Sequence, residues 1–110
     1  MVDITKGGSD MADSYIDMSN ERRNMMVSAL KITFDQQGPD TEGIQALAFK
    51  LLDLDLKKKR MPVNEEEQRL LRNAINELRN KRIAEGKYTD FVDTALMDVL
   101  HPKRTKHFPW

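Results

Sequence analysis

Residues 64–86, NEEEQRLLRNAINELRNKRIAEG, decide the fold because they carry the signals of a complete amphipathic helix. Asn64 and Glu67 are spaced like a capping box, in which each side chain accepts a hydrogen bond from the other residue's backbone N–H. Gly86 is a suitable end for this helix, because helices commonly end at a glycine. The apolar side chains between them recur at helical spacing and are Leu70, Leu71, Ala74, Ile75 and Leu78. We therefore predict a helix that begins after Asn64 and ends before Gly86.

Three more segments of the chain show the same periodicity. They predict helices at residues 20–36, 41–59 and 90–100. Ser19 and Thr89 are suitable N-caps for the first and the last of these helices, and Asp40 or Thr41 for the second. Pro62 then keeps the second helix from continuing into the third. Pairs four residues apart are expected to form ion pairs along the third helix, Glu65 with Arg69 and Glu77 with Lys81.

The order of these segments predicts an all-α protein, a compact bundle of about four amphipathic helices over residues 19–101. Residues 1–18 have four aspartates and few apolar residues, which is typical of a flexible acidic arm. Three side chains of this arm are nevertheless able to dock onto the bundle, namely Tyr15, Ile16 and Met18. Residues 102–110, PKRTKHFPW, are basic and aromatic and are expected to form a separate tail.

Composition limits the classes of function. The chain of 110 residues has no cysteine, so disulfides, thiolate metal sites and a cysteine nucleophile are excluded within it. Its 18 basic and 18 acidic residues balance, which removes the simplest argument for binding to nucleic acid or to an anionic membrane. No apolar run approaches the roughly 18 residues that span a bilayer, and no stretch resembles a signal peptide, so a cytoplasmic protein is expected.

A catalytic or metal-binding site is not expected. His101 and His107 are the only histidines, and their spacing of six residues matches no usual helical ligand pair. The sequence has no phosphate-binding glycine loop, nucleophile elbow or dinucleotide fingerprint. We therefore expect a protein without enzyme activity, cofactor or metal.

Charge is segregated along the chain. Residues 1–56 carry five basic and ten acidic groups, whereas residues 57–82 carry nine basic and four acidic groups. The positive segment begins with four consecutive cations, which we expect at the C-terminus of the second helix, where the helix dipole favours them. These cations are Lys57, Lys58, Lys59 and Arg60.

The polar side of the third helix is the strongest functional signal. Steps of about 100° per residue bring six side chains onto one face, opposite the apolar side. They are Arg69, Arg72, Asn73, Asn76, Arg79 and Asn80. Asparagine is less favourable inside a helix than lysine or glutamate by some tenths of a kcal/mol, so a binding role would account for its repeated use. The simpler interpretation is that these residues form the solvated side of an amphipathic helix.

Two functions fit these signals. The first is a noncatalytic regulatory or adaptor protein that binds another protein through the Arg/Asn face of the third helix, through Phe108 and Trp110 of the tail, or through both. The alternative is a nucleic-acid-binding protein, in which the third helix reads bases and residues 57–60 contact phosphates. A homodimer also fits, because the first helix has apolar residues on more than one side. Those outside the line of Met26, Leu30 and Phe34 are Met25, Ala29 and Ile32.

Overall fold

Four helices and three short strands form the part of the chain that the computed structural model describes, residues 14–36, 38 and 40–104. In chain order they are β1 (Ser14–Asp17), α1 (Asn20–Asp35), α2 (Thr41–Leu52), β2 (Arg60–Val63), α3 (Glu65–Ala84), α4 (Asp90–Leu100) and β3 (Lys103–Arg104). The domain is mostly helical, as predicted. The prediction of a purely all-α fold is wrong, because the strands form a sheet.

Helix α2 is shorter than its apolar periodicity predicts. It ends at Leu52, whereas the pattern predicts continuation to residue 59. The carboxylate of Asp55 accepts a hydrogen bond from the backbone N–H of Lys57 at 3.0 Å and starts a 3-10 turn, Leu56–Lys58, instead. The four cations of residues 57–60 therefore lie in this turn and in β2, not at the C-terminus of a helix. The other three helices end within one residue of their predicted bounds.

The start of α3 has the capping box that its sequence predicts. Asn64 Oδ1 accepts a hydrogen bond from the N–H of Glu67 at 2.8 Å, and Glu67 Oε1 accepts one from the N–H of Asn64 at 3.0 Å. Lys50 donates to Glu67 at 2.9 Å and to the carbonyl of Pro62 at 2.7 Å, so the box also ties α2 to the β2–α3 junction. The predicted ion pairs of α3 are replaced by others, Arg69 with Glu66 and Lys81 with Glu85.

The three strands form an antiparallel sheet in the order β2–β1–β3. Its inner face packs on the helices through Ile16, Met61 and Val63, each at most 1% exposed. On its outer face the guanidinium carbon of Arg60 lies 4.6 Å from the centre of the Tyr15 ring, a cation–π contact. The sheet therefore closes one side of the apolar core with alternate side chains.

The sheet includes residues that composition assigns to the arm and to the tail. Ser14–Asp17 is the central strand and Met18 is buried, although both belong to the predicted arm of residues 1–18. Lys103–Arg104 forms β3, although it belongs to the predicted tail of residues 102–110. Strands of four and two residues are too short to show an alternating pattern in the sequence. Residues 1–13 and 105–110 lie outside the described residues.

One apolar core joins the helices and the sheet. Small residues allow close approach of the helices, since Ala29, Ala74 and Ala95 are completely buried. No polar or charged residue within the described part of the chain is buried. The largest helical side chains with less than 2% exposure are Met26, Leu30, Leu47, Leu51, Leu71, Ile75, Val92 and Val99.

Arg22 fastens three elements at the edge of this core. Its Nη1 donates to Asp98 Oδ2 of α4 at 2.7 Å and to the carbonyl of Asp17 in β1 at 2.9 Å. The Arg22 side chain is 13% exposed and that of Asp98 is 42% exposed, so the bond to Asp98 is charge-assisted and partly buried. Arg22 thus holds the start of α1 against the sheet and α4.

Helix α3 ends in a Schellman motif. Gly86 is left-handed, with φ of 73°. The N–H of Lys87 donates to the carbonyl of Arg82 at 2.9 Å, and the N–H of Gly86 to that of Ile83 at 3.0 Å. Glycine suits this position because a Cβ atom strains left-handed backbone.

We expect Gly86→Ala to lower the free energy of unfolding by about 1 kcal/mol, because alanine strains the left-handed conformation. Gly38→Ala is the matched control, since an added Cβ at Gly38 meets no atom within 4 Å and the backbone there is not left-handed. Urea denaturation of the native chain and both variants measures the difference. Equal stabilities of the Gly86→Ala variant and the native chain would contradict this role of Gly86.

Candidate protein-interaction surfaces

An apolar groove of about 200 Å³ lies between α1 and α2. This volume accepts a bulky apolar side chain, whereas drug-sized ligands occupy sites of about 300 Å³ or more. The groove therefore has room for one such side chain. Its lining residues are Val27, Leu30, Lys31 and Phe34 of α1 and Ile44, Gln45, Ala48 and Phe49 of α2.

Two aromatic side chains form the exposed walls of the groove. Phe34 and Phe49 are 40% and 59% exposed, whereas Leu30 and Ile44 at the floor are 0% and 3% exposed. Phe49 points outward because it lies on the side of α2 opposite the buried leucines. Leu52, which is 52% exposed, lies one turn beyond Ala48 and continues the apolar patch.

The outer rim of the groove, beyond its lining residues, carries two carboxylates of α2. Lys31 is already paired with Asp35, with 3.0 Å between Nζ and Oδ2. Glu42 and Asp53 are exposed and lie seven residues before and four residues after Phe49, on the same outward side of α2. Neither carboxylate forms an ion pair with another described residue. The groove is thus apolar at its floor, with the paired Lys31 in its lining and two carboxylates on its outer rim.

Two arginines of the predicted binding face form ion pairs within the fold. Arg79 Nε donates to Asp93 Oδ1 of α4 at 2.6 Å, and this bond lowers the pKa of Asp93. Arg69 Nη2 lies 2.5 Å from Glu66 Oε2 and 3.3 Å from Asp40 Oδ1, before the start of α2. The hydrogen bond from Arg69 lowers the pKa of Glu66. Arg79 therefore joins α3 to α4, and Arg69 joins α3 to the start of α2.

The other four residues of that face remain accessible. Asn73 and Asn76 line a polar cleft of about 420 Å³ between α3, the end of α1 and the start of α2. Across this cleft the Gln36 amide donates to Glu77 Oε1 at 3.2 Å. Within the part of the chain that the structure describes, no hydrogen bond is formed by the exposed side chains of Arg72, Asn73, Asn76 and Asn80.

The cations expected to contact phosphates are exposed but are built into the start of the sheet. Lys57 and Lys58 lie in the 3-10 turn. Lys59 is left-handed, with φ of 59°, and its carbonyl accepts a hydrogen bond from the N–H of Met18 at 2.9 Å. Arg60 packs against Tyr15. The four residues therefore do not form the helical row that their sequence predicts.

Several other expectations concern the chain ends and metal binding. Phe108 and Trp110, the predicted binding residues of the tail, lie outside the described residues, as does His107.

Among residues 14–36, 38 and 40–104, no three side chains of histidine, aspartate or glutamate are grouped so as to hold a metal ion. In the same ranges, no helix combines the length and the apolar character needed to cross a membrane.

Comparisons of the chain with protein-family models, with curated proteins and with solved structures give no match. The function of these surfaces therefore has to be inferred from the geometry and chemistry of the chain itself.

The apolar excess on α1 predicts an exposed apolar surface on this helix, but it predicts the wrong residues for that surface. The excess of apolar residues on α1 favours an interface that includes Met25 and Ala29, yet these are 7% and 0% exposed. Phe34, expected in the core line with Leu30, is the exposed residue instead. Helix α1 packs against both α2 and α3. Its buried apolar stripe is therefore broader than contact with a single neighbouring helix would require.

We expect Asp93→Asn to lower the melting temperature at neutral pH and to have a progressively smaller effect as the pH falls below the ordinary aspartate pKa of about 3.9. Hydrogen bonds from Arg79 and Thr89 lower the pKa of Asp93 in the folded protein. The stabilisation is therefore present above the ordinary aspartate pKa of about 3.9 and is lost as the pH falls through the lower folded-state value. Thermal unfolding followed by circular dichroism at neutral pH and at pH values below about 3.9 measures it.

Asp90→Asn is the control for this experiment, because it removes a carboxylate from the first turn of the same helix and leaves Arg79 paired. Its effect at neutral pH is expected to be smaller than that of Asp93→Asn. A loss of stability for Asp93→Asn that is equal at neutral and at acid pH would show that the charge of Asp93 has no part in it.

Proposed function

We propose that this chain is a noncatalytic protein-binding module of regulatory or adaptor type, with the α1–α2 groove as its docking surface. The observation that carries the proposal is the exposure of Phe34 and Phe49 beside an apolar groove that has room for one more side chain. A partner that covers these aromatic rings removes apolar area from water, which stabilises a complex by about 25 cal/mol per Å². Aromatic side chains are also enriched at the centres of protein interfaces.

An amphipathic helix of the partner is the occupant that the groove favours. Its walls are two helices, and the stretch of α1 from Val27 to Phe34 is about 10 Å long, or two turns. A helix laid along this stretch presents apolar side chains at positions i, i+3, i+4 and i+7 to such a groove. An added strand would instead need unpaired backbone groups at a sheet edge, which two helices do not provide.

The charge of the rim favours a partner helix with basic flanks. Glu42 and Asp53 lie on the same side of α2 as Phe49 and form no ion pair with another described residue, while Lys31 is paired with Asp35. Lysine or arginine beside the apolar stripe of the partner would complement this rim. Such rim charges mainly increase the rate of association and the specificity of binding.

The polar face of α3 supports a smaller role than its sequence suggests. A nucleic-acid reader needs arginine forks that reach base edges, and Arg69 and Arg79 are held by carboxylates of the fold. If Arg69 and Arg79 contacted bases instead, α3 would lose its ion pairs with Asp40 and with Asp93 of α4. Arg72, Asn76 and Asn80 remain available as a second contact surface for a protein partner.

The test uses a synthetic helix of about 15 residues, with leucine at i, i+3, i+4 and i+7 and with lysine and alanine elsewhere. Isothermal titration calorimetry measures its binding to the full chain. We expect Phe49→Ala to weaken binding about tenfold, because truncation of a central aromatic side chain costs about 1–2 kcal/mol at protein interfaces. Phe34→Ala is expected to act in the same direction.

Tyr88→Ala is the matched control, because Tyr88 is an aromatic residue of 91% exposure in the α3–α4 connection and does not line the groove. It is expected to leave the affinity unchanged. Equal affinities of the native chain and the Phe49→Ala variant would contradict the proposal. Tight binding of mixed-sequence DNA at low salt, lost with Arg72→Ala, would favour the nucleic-acid alternative.

A further inference from the structure

We propose that a second copy of this chain occupies the α1–α2 groove, in a two-fold symmetric dimer in which α2 of each copy lies in the groove of the other. The inference rests on the proposed function of the groove, since it names an occupant of that same docking surface. The interface is isologous, so each copy contributes the same residues to it. A partner helix then has to displace the second copy before it binds.

Helix α2 has on its outer side the pattern of a helix that docks into an apolar groove. Such a helix presents side chains at positions i, i+3, i+4 and i+7. On α2 these positions are Gln45, Ala48, Phe49 and Leu52. Phe49 and Leu52 are both more than half exposed. The groove has room for one bulky apolar side chain, and Phe49 of a second copy is such a side chain.

The two helices that line the groove have opposite charges outside the ion pairs of the fold. Arg23 of α1 donates hydrogen bonds to the amide oxygens of Asn20 and Asn24 and to no carboxylate of the described residues. It lies one turn before Val27, on the side of α1 that lines the groove. Glu42 of α2 likewise forms no ion pair with another described residue. A contact between Arg23 of one copy and Glu42 of the other would pair both charges.

The spacing of these two charges fits one register of the dimer. Arg23 lies seven residues before Leu30, which is at the floor of the groove, and Glu42 lies seven residues before Phe49. Both helices rise about 1.5 Å per residue. When Phe49 of one copy lies beside Leu30 of the other, the arginine and the glutamate therefore also meet.

This match requires the two α2 helices to be antiparallel. Within one copy α1 and α2 run in opposite directions, because only residues 36–40 separate them and both line the groove. A two-fold axis perpendicular to α2 at Phe49 makes α2 of the second copy antiparallel to the first α2 and so parallel to α1. With parallel α2 helices, Arg23 would lie opposite residue 56 of the second copy, beyond the end of α2 at Leu52.

The same axis keeps like charges apart. It places Asp53 of one copy opposite Gln45 of the other, since each lies four residues from Phe49. The amide group of Gln45 is a hydrogen-bond donor for this carboxylate. The formal net charge of the chain is zero, so two copies do not repel each other as a whole.

The size of the face predicts a weak dimer. From Arg23 to Phe34 helix α1 is about 18 Å long, and two packed helices are about 20 Å wide. The footprint of about 400 Å² is about half of what each partner buries in a standard interface. Interfaces at this lower end belong to transient complexes. We therefore expect monomers at about 10 µM and a substantial fraction of dimers at about 1 mM.

Sedimentation equilibrium of the full chain over this range of concentration measures the self-association. We expect Phe49→Ala to raise the dissociation constant of the dimer about tenfold, because it removes the side chain that fills the groove of the other copy. Tyr88→Ala is the matched control, since it truncates an exposed aromatic side chain outside the groove. It is expected to leave the dissociation constant unchanged.

An exchange of charges tests the register. Arg23→Glu and Glu42→Arg are each expected to weaken the dimer about tenfold, because each places like charges in both symmetric contacts. An equimolar mixture of the two variants is expected to dimerise like the native chain, because every contact then joins a glutamate to an arginine. Arg72→Glu, on the exposed side of α3, is the control and should change nothing. Circular dichroism of each variant confirms that its helical content is unchanged.

Three results would overturn the assignment. The first is a native chain that is monomeric at about 1 mM. The second is a dimer that neither Phe49→Ala nor Arg23→Glu weakens, because its interface would then lie elsewhere. The third is a mixture of the two charge variants that dimerises no better than either variant alone.

Titration of the leucine–lysine helix into about 10 µM chain, where monomers are expected to predominate, separates this inference from the proposed function. A chain that binds this helix but stays monomeric at about 1 mM would retain the proposed function and overturn the second copy as occupant. A dimer that Phe49→Ala dissociates, in a chain that does not bind the helix, would support the second copy and contradict the proposed partner helix.

Discussion

The packing of α1 against α3 is the constraint on which the rest of the structure depends. Met26 and Leu30 of α1 and Leu71 and Ile75 of α3 are completely buried, and each such side chain contributes about 1.5–3 kcal/mol relative to exposure. Helix α2 then packs chiefly against α1, and α4 against α3. The sheet closes the remaining side through Ile16, Met61 and Val63. The described side chains that remain for recognition of other molecules therefore lie on the outer faces.

This arrangement determines which outer faces are free. Attachment of α2 and α4 to α3 uses Arg69 and Arg79, so the polar face of α3 is partly structural. Helices α1 and α2, by contrast, hold more large apolar side chains than the core takes up, and Phe34 and Phe49 remain outside. A helical pair with one apolar side in the core and a second apolar side in water is typical of a protein-binding surface. The proposed function rests on these apolar side chains that the core leaves exposed.

Local signals in the sequence predict the helices well and the sheet poorly. The capping box of Asn64 and Glu67 and the stop at Gly86 act within one turn, so residues 64–86 are sufficient to define α3. Strands β1 and β3 depend on partners that are distant in the chain, since Ser14 pairs with Val63 and Arg104. No local pattern of two to four residues reveals such pairing. The candidate site is difficult to predict for the same reason. A helical projection of the sequence identifies Arg79 as polar but cannot show that its guanidinium donates a hydrogen bond to Asp93.

Chemical-shift mapping of the full, ¹⁵N-labelled chain with the leucine–lysine helix locates the bound surface residue by residue and so decides between the α1–α2 groove and the face of α3. We expect the largest shifts on the lining of the α1–α2 groove, with Val27, Phe34, Ala48 and Phe49 at its centre. The amides of Arg72, Asn76 and Asn80 on the outer side of α3 are predicted to change little. Shifts centred on those α3 residues, with the groove unaffected, would contradict the assignment of α1 and α2 as the docking surface.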